Sequence, residues 1–154
     1  MATPSYSNLI TQIVKRLRED ARLNSVDDSS IVEGDNLPRV VNWPAVTVAL
    51  DQVEEQWRTF AGRRGGNKKA ICTVRLSVLS RTATGTDGYS EGLKTVEDLV
   101  QTIDDVIQSD MTISGVAYRS ENSTKTFAQG QYDNTPVISA DIALITELGF
   151  GRAY

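Results

Sequence analysis

The sequence predicts an α+β fold: a mostly antiparallel sheet of four strands or slightly more, two amphipathic helices packed on one face, and a long charged hairpin arm. Three stretches carry that prediction. From Ile71 to Arg81 the chain alternates, with Cys72, Val74, Leu76 and Val78 on one side and Thr73, Arg75, Ser77 and Arg81 among the residues opposite. A period of two is the mark of a strand with one buried face. After the breakers Gly85, Asp87 and Gly88 the period changes, and Leu93, Val96, Leu99, Val100, Ile103, Val106 and Ile107 recur at the spacing of one helical face. From Pro136 to Leu148 alternation returns, with Ile138, Ala140, Ile142, Leu144 and Leu148 on one parity.

The totals set the scale. With 154 residues, 40% hydrophobic and 23% charged, the chain has the composition of one ordinary globular domain. A domain of that length buries roughly 70% of its unfolded surface. We expect a single domain over residues 1–154, with 149–154 as a short C-terminal tail. A membrane span needs about 18 or more consecutive apolar residues, and no such run occurs. The polar start, Met1 to Asn8, lacks the basic-then-apolar order of a secretory signal. Cys72 is the one cysteine, so no intrachain disulfide forms. The net charge of −4 is unevenly spread: residues 1–80 carry 11 basic and 9 acidic side chains, and residues 81–154 carry 5 and 11. An acidic chain argues against tight binding along a nucleic-acid backbone, which needs clustered cations.

Taken in order, Ser5 to Leu23 reads as the first helix, with Ile10, Ile13, Val14, Leu17 and Ala21 as its stripe and Ser5 or Ser7 as its cap. Asn24 to Pro38 reads as a loop; its acids Asp27, Asp28, Glu33 and Asp35 lack the spacing of a helix-loop-helix calcium site. A strand led by Pro44 follows, with Val46, Val48 and Leu50 on one face. Gln52 to Phe60 fits either period, and a strand is favoured, making one side of the hairpin arm. The turn at Ala61 to Lys69 holds Arg63, Arg64, Lys68 and Lys69 around Gly65 and Gly66. Such a tip is either a solvated hairpin end or a contact element for nucleic acid or an acidic protein patch.

Gly85, Gly88, Gly92, Lys94 and Thr95 invite comparison with a phosphate loop, but Leu93 stands where lysine must follow the last glycine. The second helix, Ser90 to Gln108, keeps Glu91, Glu97, Asp98, Asp104 and Asp105 off its apolar stripe. Carboxylates catalyse or bind metal only when gathered in a concave, partly desolvated site. The chain has no histidine, the commonest general base and metal ligand. Cys72, on the inward parity of its strand, is expected to be a buried inert thiol. No catalytic residue, cofactor site or metal site is therefore assigned. Asp110 to Ser120 reads as a strand with Ile113, Val116 and Tyr118 as its apolar members and Gly115 as a bulge. Glu121 to Asn134, mostly polar, reads as a short strand or an extended surface loop. Its glycosylation-like Asn122-Ser123-Thr124 carries no weight in a chain without a secretion signal.

This layout resembles the tail terminator (tail completion) proteins of tailed bacteriophages. The features that match are the opening helix, the strand Pro44 to Leu50, the charged hairpin arm up to Arg81 and the helix Ser90 to Gln108. The step Asp110-Met111-Thr112-Ile113-Ser114-Gly115 and the closing strand Val137 to Glu147 complete the likeness. It spans roughly residues 5–148, without Glu121 to Asn134 or the tail. The resemblance implies a structural virion protein of the tail and neck, assembled in the host cytoplasm, without enzymatic activity. It would form a ring, commonly a hexamer, that stops the tail tube and joins it to the head connector or head-closure protein. DNA would pass through without specific binding, and no membrane would be involved. In such a ring Arg63, Arg64, Lys68 and Lys69 are protein-contact candidates. Asp98, Asp104 and Asp105 are candidates to face the channel, where negative charge keeps phosphates from sticking. A head-closure or head–tail joining protein is the alternative in the same class. A small ligand-binding domain, or an enzyme using carboxylates alone, is the alternative outside it.

Overall fold

The computed structural model describes residues 5–34, 42–57, 68–81, 88–113, 115–117, 119–132 and 135–150. Two helices, α1 (Tyr6–Glu19) and α2 (Gly88–Ser109), accompany five strands: β1 (Ile31–Glu33), β2 (Ala45–Trp57), β3 (Lys68–Arg81), β4 (Arg119–Tyr132) and β5 (Thr135–Phe150). The strands form one sheet in the order β1-β2-β3-β5-β4. Every pairing is antiparallel except that of β1 with β2, which is parallel.

The central strand is β3. It pairs from Leu79 opposite Ala45 to Lys68 opposite Trp57 on one side, and from Lys68 opposite Phe150 to Arg81 opposite Val137 on the other. Its alternation is reproduced in burial: Ala70, Cys72, Val74, Leu76, Val78 and Ser80 are buried and the residues between them half-exposed. β5 repeats the pattern from Ile138 to Leu148. Leu9, Ile13, Val14 and Leu17 of α1, and Val96, Val100, Ile103 and Ile107 of α2, join this even-numbered face in one apolar cluster. It is called the core face below.

Two bulges reconcile sequence parity with this single core face. In β2 the register steps between Leu50 and Gln52, leaving Asp51 as the extra residue. Val46 and Val48 before the step, and Val53 after it, thereby point the same way despite their opposite parity, and Val53 packs on the core. In β4 the step lies between Asn122 and Thr124. Ser120 and Asn122 before it, and Lys125, Phe127 and Gln129 after it, all fall on the core face, opposite even-numbered residues of β5.

Both helix ends are specified locally. The Ser5 side chain caps α1, accepting from the Asn8 amide at 3.0 Å. The helix stops at Glu19, short of the expected Leu23, because Asp20 turns extended and starts a separate 3₁₀ turn at Ala21–Leu23. The last turn of α2 contains no basic residue of its own. Arg16 of α1 supplies the cation, donating to the Val106 carbonyl at 2.6 Å and the Asp110 carbonyl at 2.8 Å and pairing with the Asp110 carboxylate at 2.9 Å. Free carbonyls and the negative end of the helix dipole are both satisfied by one guanidinium. Arg18 binds the Ile31 carbonyl at 2.6 and 2.9 Å, tying the same helix to β1.

Two expectations are corrected after α2. The segment expected as a strand from Asp110 to Ser120 is a set of turns as far as Val116, and β4 begins only at Arg119. Asp110 accepts from the Thr112 amide and hydroxyl at 3.1 and 2.6 Å, which bends the chain, and Gly115 takes φ 83°. Ile113 has φ 49° and is fully buried, a left-handed conformation that costs a β-branched residue about 1–2 kcal/mol. The polar segment expected as a short strand or loop is instead a 14-residue strand, β4. It reads as loop because Thr124 to Gln131 are exposed on both faces at the margin of the sheet. The loop expected at Asn24 to Pro38 likewise contains the short β1 and a 3₁₀ turn at Asp28–Ser30.

The Arg16 bonds generate a direct test. Arg16→Ala removes the guanidinium from the Val106 and Asp110 carbonyls and from the Asp110 carboxylate, and is expected to destabilise by about 2–4 kcal/mol in urea unfolding. Arg16→Lys is expected to recover only part of this, since an ammonium does not span several acceptors as a planar fork does.

Candidate assembly surfaces

The residue types that carry chemistry are dispersed. Among the described residues no group of three or more histidine, cysteine, aspartate or glutamate side chains is arranged to hold a metal ion. No described helix is long and apolar enough to cross a membrane. The polar and apolar groups that remain are the hairpin cations, the α2 acids, and the side chains along the sheet.

Of the four hairpin cations, Arg63 and Arg64 and the side chain of Lys68 lie outside the described residues. Lys69 is described, and it sits in the ladder: its ammonium is 2.7 Å from the Glu147 carboxylate of β5. Its partner was not legible in the sequence, because the two residues are far apart in the chain and meet only through the β3–β5 register, diagonally, two residues from the Gly149 that stands opposite Lys69.

The three α2 acids differ in surroundings. Asp98 and Asp105 are exposed. Asp104 is half-buried and engaged with β4: one carboxylate oxygen accepts from the Asn122 side-chain amide at 2.6 Å, and the other lies 3.5 Å from the Lys125 ammonium. Asp104 thus ties the helix to the outermost strand. The side-chain oxygen of Asn122, Oδ1, is buried with no partner among the described atoms.

Cys72 is fully buried on the core face. Burial, with a smaller contribution from the Glu55 carboxylate, pushes its thiol up to about 11 from 9.0, away from the thiolate needed for nucleophilic work. Glu55 falls on that face because of the β2 bulge, and accepts from the Tyr6 hydroxyl at 2.5 Å. Burial and this hydrogen bond raise the phenol to about 12 from 10.0. At the other end of α1, the Arg22 guanidinium lowers the Asp20 carboxyl to about 2 from 3.8.

These shifts fix the pH dependence. Cys72 and Tyr6 both hold their protons more tightly in the folded chain. Their contribution to stability is complete below about pH 9 and is lost as the pH rises through about 11 for Cys72 and about 12 for Tyr6. Urea midpoints measured from pH 8 upward are expected to fall, less so in Cys72→Ala over the lower part of the range and in Tyr6→Phe over the upper part. A thiol reagent is expected to label the native protein far more slowly than the unfolded chain.

Comparison with known proteins adds little to this picture. No family model and no curated protein matches the sequence. Among solved structures, the chain is similar to one from the virion of a native gene transfer agent (GTA) particle, at 16% identity, covering 95% of this chain and 100% of that one, with a TM-score of 0.40. A superposition that loose supports no statement about the role of this chain.

Proposed function

We propose that this chain is a structural protein of a tailed, phage-like virion, and specifically a tail terminator. Copies of it form a ring, on the hexameric scale of the family it resembles, that ends the tail tube and meets the head connector or head-closure protein. DNA passes through the ring without specific binding. The observation that carries the reading is the element order. The resemblance rests on helix, strand, strand, helix, strand, strand. The chain follows that order in outline, with β1 added ahead of the first hairpin and with β4 (Arg119–Tyr132), not Asp110 to Ser120, as the strand after α2. The two long hairpins, β2–β3 and β4–β5, share the β3–β5 ladder and so make one broad sheet. Broad sheets suit a protein whose work is contact with neighbours, since a flat face and two margins remain to be used.

Electron microscopy of the purified protein tests this reading, with rings of uniform diameter as the expected image. A monomer at every concentration reached, in the presence of tube and connector proteins as well as alone, would overturn it.

In the ring, Asp98 and Asp105 are proposed to face the channel and the hairpin cations to touch a neighbour or the tube. Asp104 is left out of the test because its reversal would break its bonds to Asn122 and Lys125. Reversing Asp98 and Asp105 to lysine is expected to leave rings intact and slow DNA delivery, read as lowered infectivity at normal particle yield. Replacing Arg63, Arg64 and Lys68 with serine is expected to leave the fold unchanged, checked by circular dichroism, while lowering assembled particle yield. Normal yield and infectivity in both variants would remove these contact roles.

A further inference from the structure

The two margins of the sheet are matched to each other. On one side β1 covers only Val46 to Val48 of β2, so from Leu50 to Trp57 the outer edge of β2 meets no strand among the described residues. On the other side β4 is the last strand, and its outer edge is likewise unpaired among the described residues. Natural proteins blunt such edges with proline, short strands or several charges. The stretch Thr124 to Gln131 of β4 has no proline and a single charge, Lys125.

Three properties make the margins complementary. Among the described residues the exposed large hydrophobic side chains are Leu50, 37% exposed, and Phe127, 46% exposed, one on each margin. Their ladder partners, Val74 and Ala140, are both buried core-face residues, so Leu50 and Phe127 lie on the same face of the sheet. The strands differ in charge: β2 carries Asp51, Glu54 and Glu55 without a cation, and β4 carries Arg119 and Lys125 against Glu121. Each cation also has a partner in its own chain, Arg119 with Glu121 at 2.9 Å and Lys125 with Asp104 at 3.5 Å. Finally, strand direction alternates from β2 through β3 and β5 to β4, so β4 runs antiparallel to β2. A second copy set alongside in the same orientation presents its β2 antiparallel to the first copy's β4.

The geometry points to a head-to-tail contact between copies of this chain, in which the β4 edge of one copy, from Arg119 to Phe127, adds to the β2 edge of the next from Leu50 to Trp57, beyond the stretch that β1 occupies. Phe127 and Leu50 approach each other on the core-face side, and Lys125 comes toward the acidic β2 margin. A shallow space beside Phe127, lined by Leu93, Ala128, Gln129 and Ile138, receives the incoming side chain. A heterologous contact of this kind leaves a free edge at each end, and closes into a ring when the rotation per copy divides the circle. The assignment deepens the ring reading above and rests on it.

Complementation tests the contact. Phe127→Asp destroys the β4 edge and Leu50→Asp the β2 edge; both positions are exposed, and circular dichroism and urea unfolding check the fold. Glu54→Lys serves as a second β2-edge variant should Leu50→Asp unfold. Measured by light scattering after size exclusion, each single variant is expected to be a monomer of 16.9 kDa. Mixed in equal amounts, Phe127→Asp and Leu50→Asp are expected to form a one-to-one dimer that grows no further, because each supplies the edge the other lacks. Variants that still assemble like the wild type would overturn the edge contact while leaving the ring reading in place. Self-association of Leu50→Asp into a dimer that Phe127→Asp cannot make would overturn the head-to-tail arrangement in favour of a symmetric β4 contact. A wild-type chain that never self-associates would overturn both the contact and the ring.

Discussion

Everything in this fold depends on the register of β3. It lies at the middle of the sheet with long partners on both sides. Its even-numbered residues join one apolar cluster with α2, which packs on β3 and β5, and α1, which packs on β1 and β2. Side chains of a strand alternate between faces, so a slip of one residue would turn Cys72, Val74, Leu76 and Val78 outward and place Arg75 in the core. The alternation therefore specifies one pairing, and the rest of the sheet is fitted to it. Where neighbouring strands carry apolar residues of the wrong parity, the chain inserts a bulge: Asp51 in β2 and Ser123 in β4 are the extra residues that return Val53 and Phe127 to the core side.

Those same bulges explain which parts of the fold were legible in the sequence. α1, α2, β3 and β5 are governed by one period each, and their positions follow from the spacing of apolar residues. β4 is governed by none: it is covered on neither face beyond Asn122, so its composition resembles a loop. Asp110 to Val116 fails for the opposite reason. Ile113 and Val116 are buried as an inward strand face would be, but they reach the core from turns, with Ile113 held at positive φ. Burial alone does not distinguish a strand from a well-packed turn.

Surface roles were less legible, because they depend on residues that meet only through topology. Lys69 reads as one of four tip cations, yet it is paired with Glu147 across the sheet. Asp104 reads as one of five acids on a wet helix face, yet it holds Asn122 and Lys125. Leu50 and Phe127 are unremarkable in sequence, and their relation appears only when the strand order places β2 and β4 toward opposite margins. The inert cysteine was readable, because its parity alone determines its burial.

The bond between Arg16 and the end of α2 joins residues 94 positions apart in the chain. During synthesis the N-terminal helix emerges long before the carbonyls it will bind exist, and its apolar stripe has nothing to cover. At typical elongation rates of about 5–20 residues per second, that interval lasts several seconds, far longer than a helix takes to form or melt. The first helix is thus made well before the segment to which Arg16 anchors it. Until α2 is complete, the nascent chain carries an exposed amphipathic segment, and the burden of keeping it soluble falls on its flanking charges, Lys15, Arg18, Glu19 and Arg22.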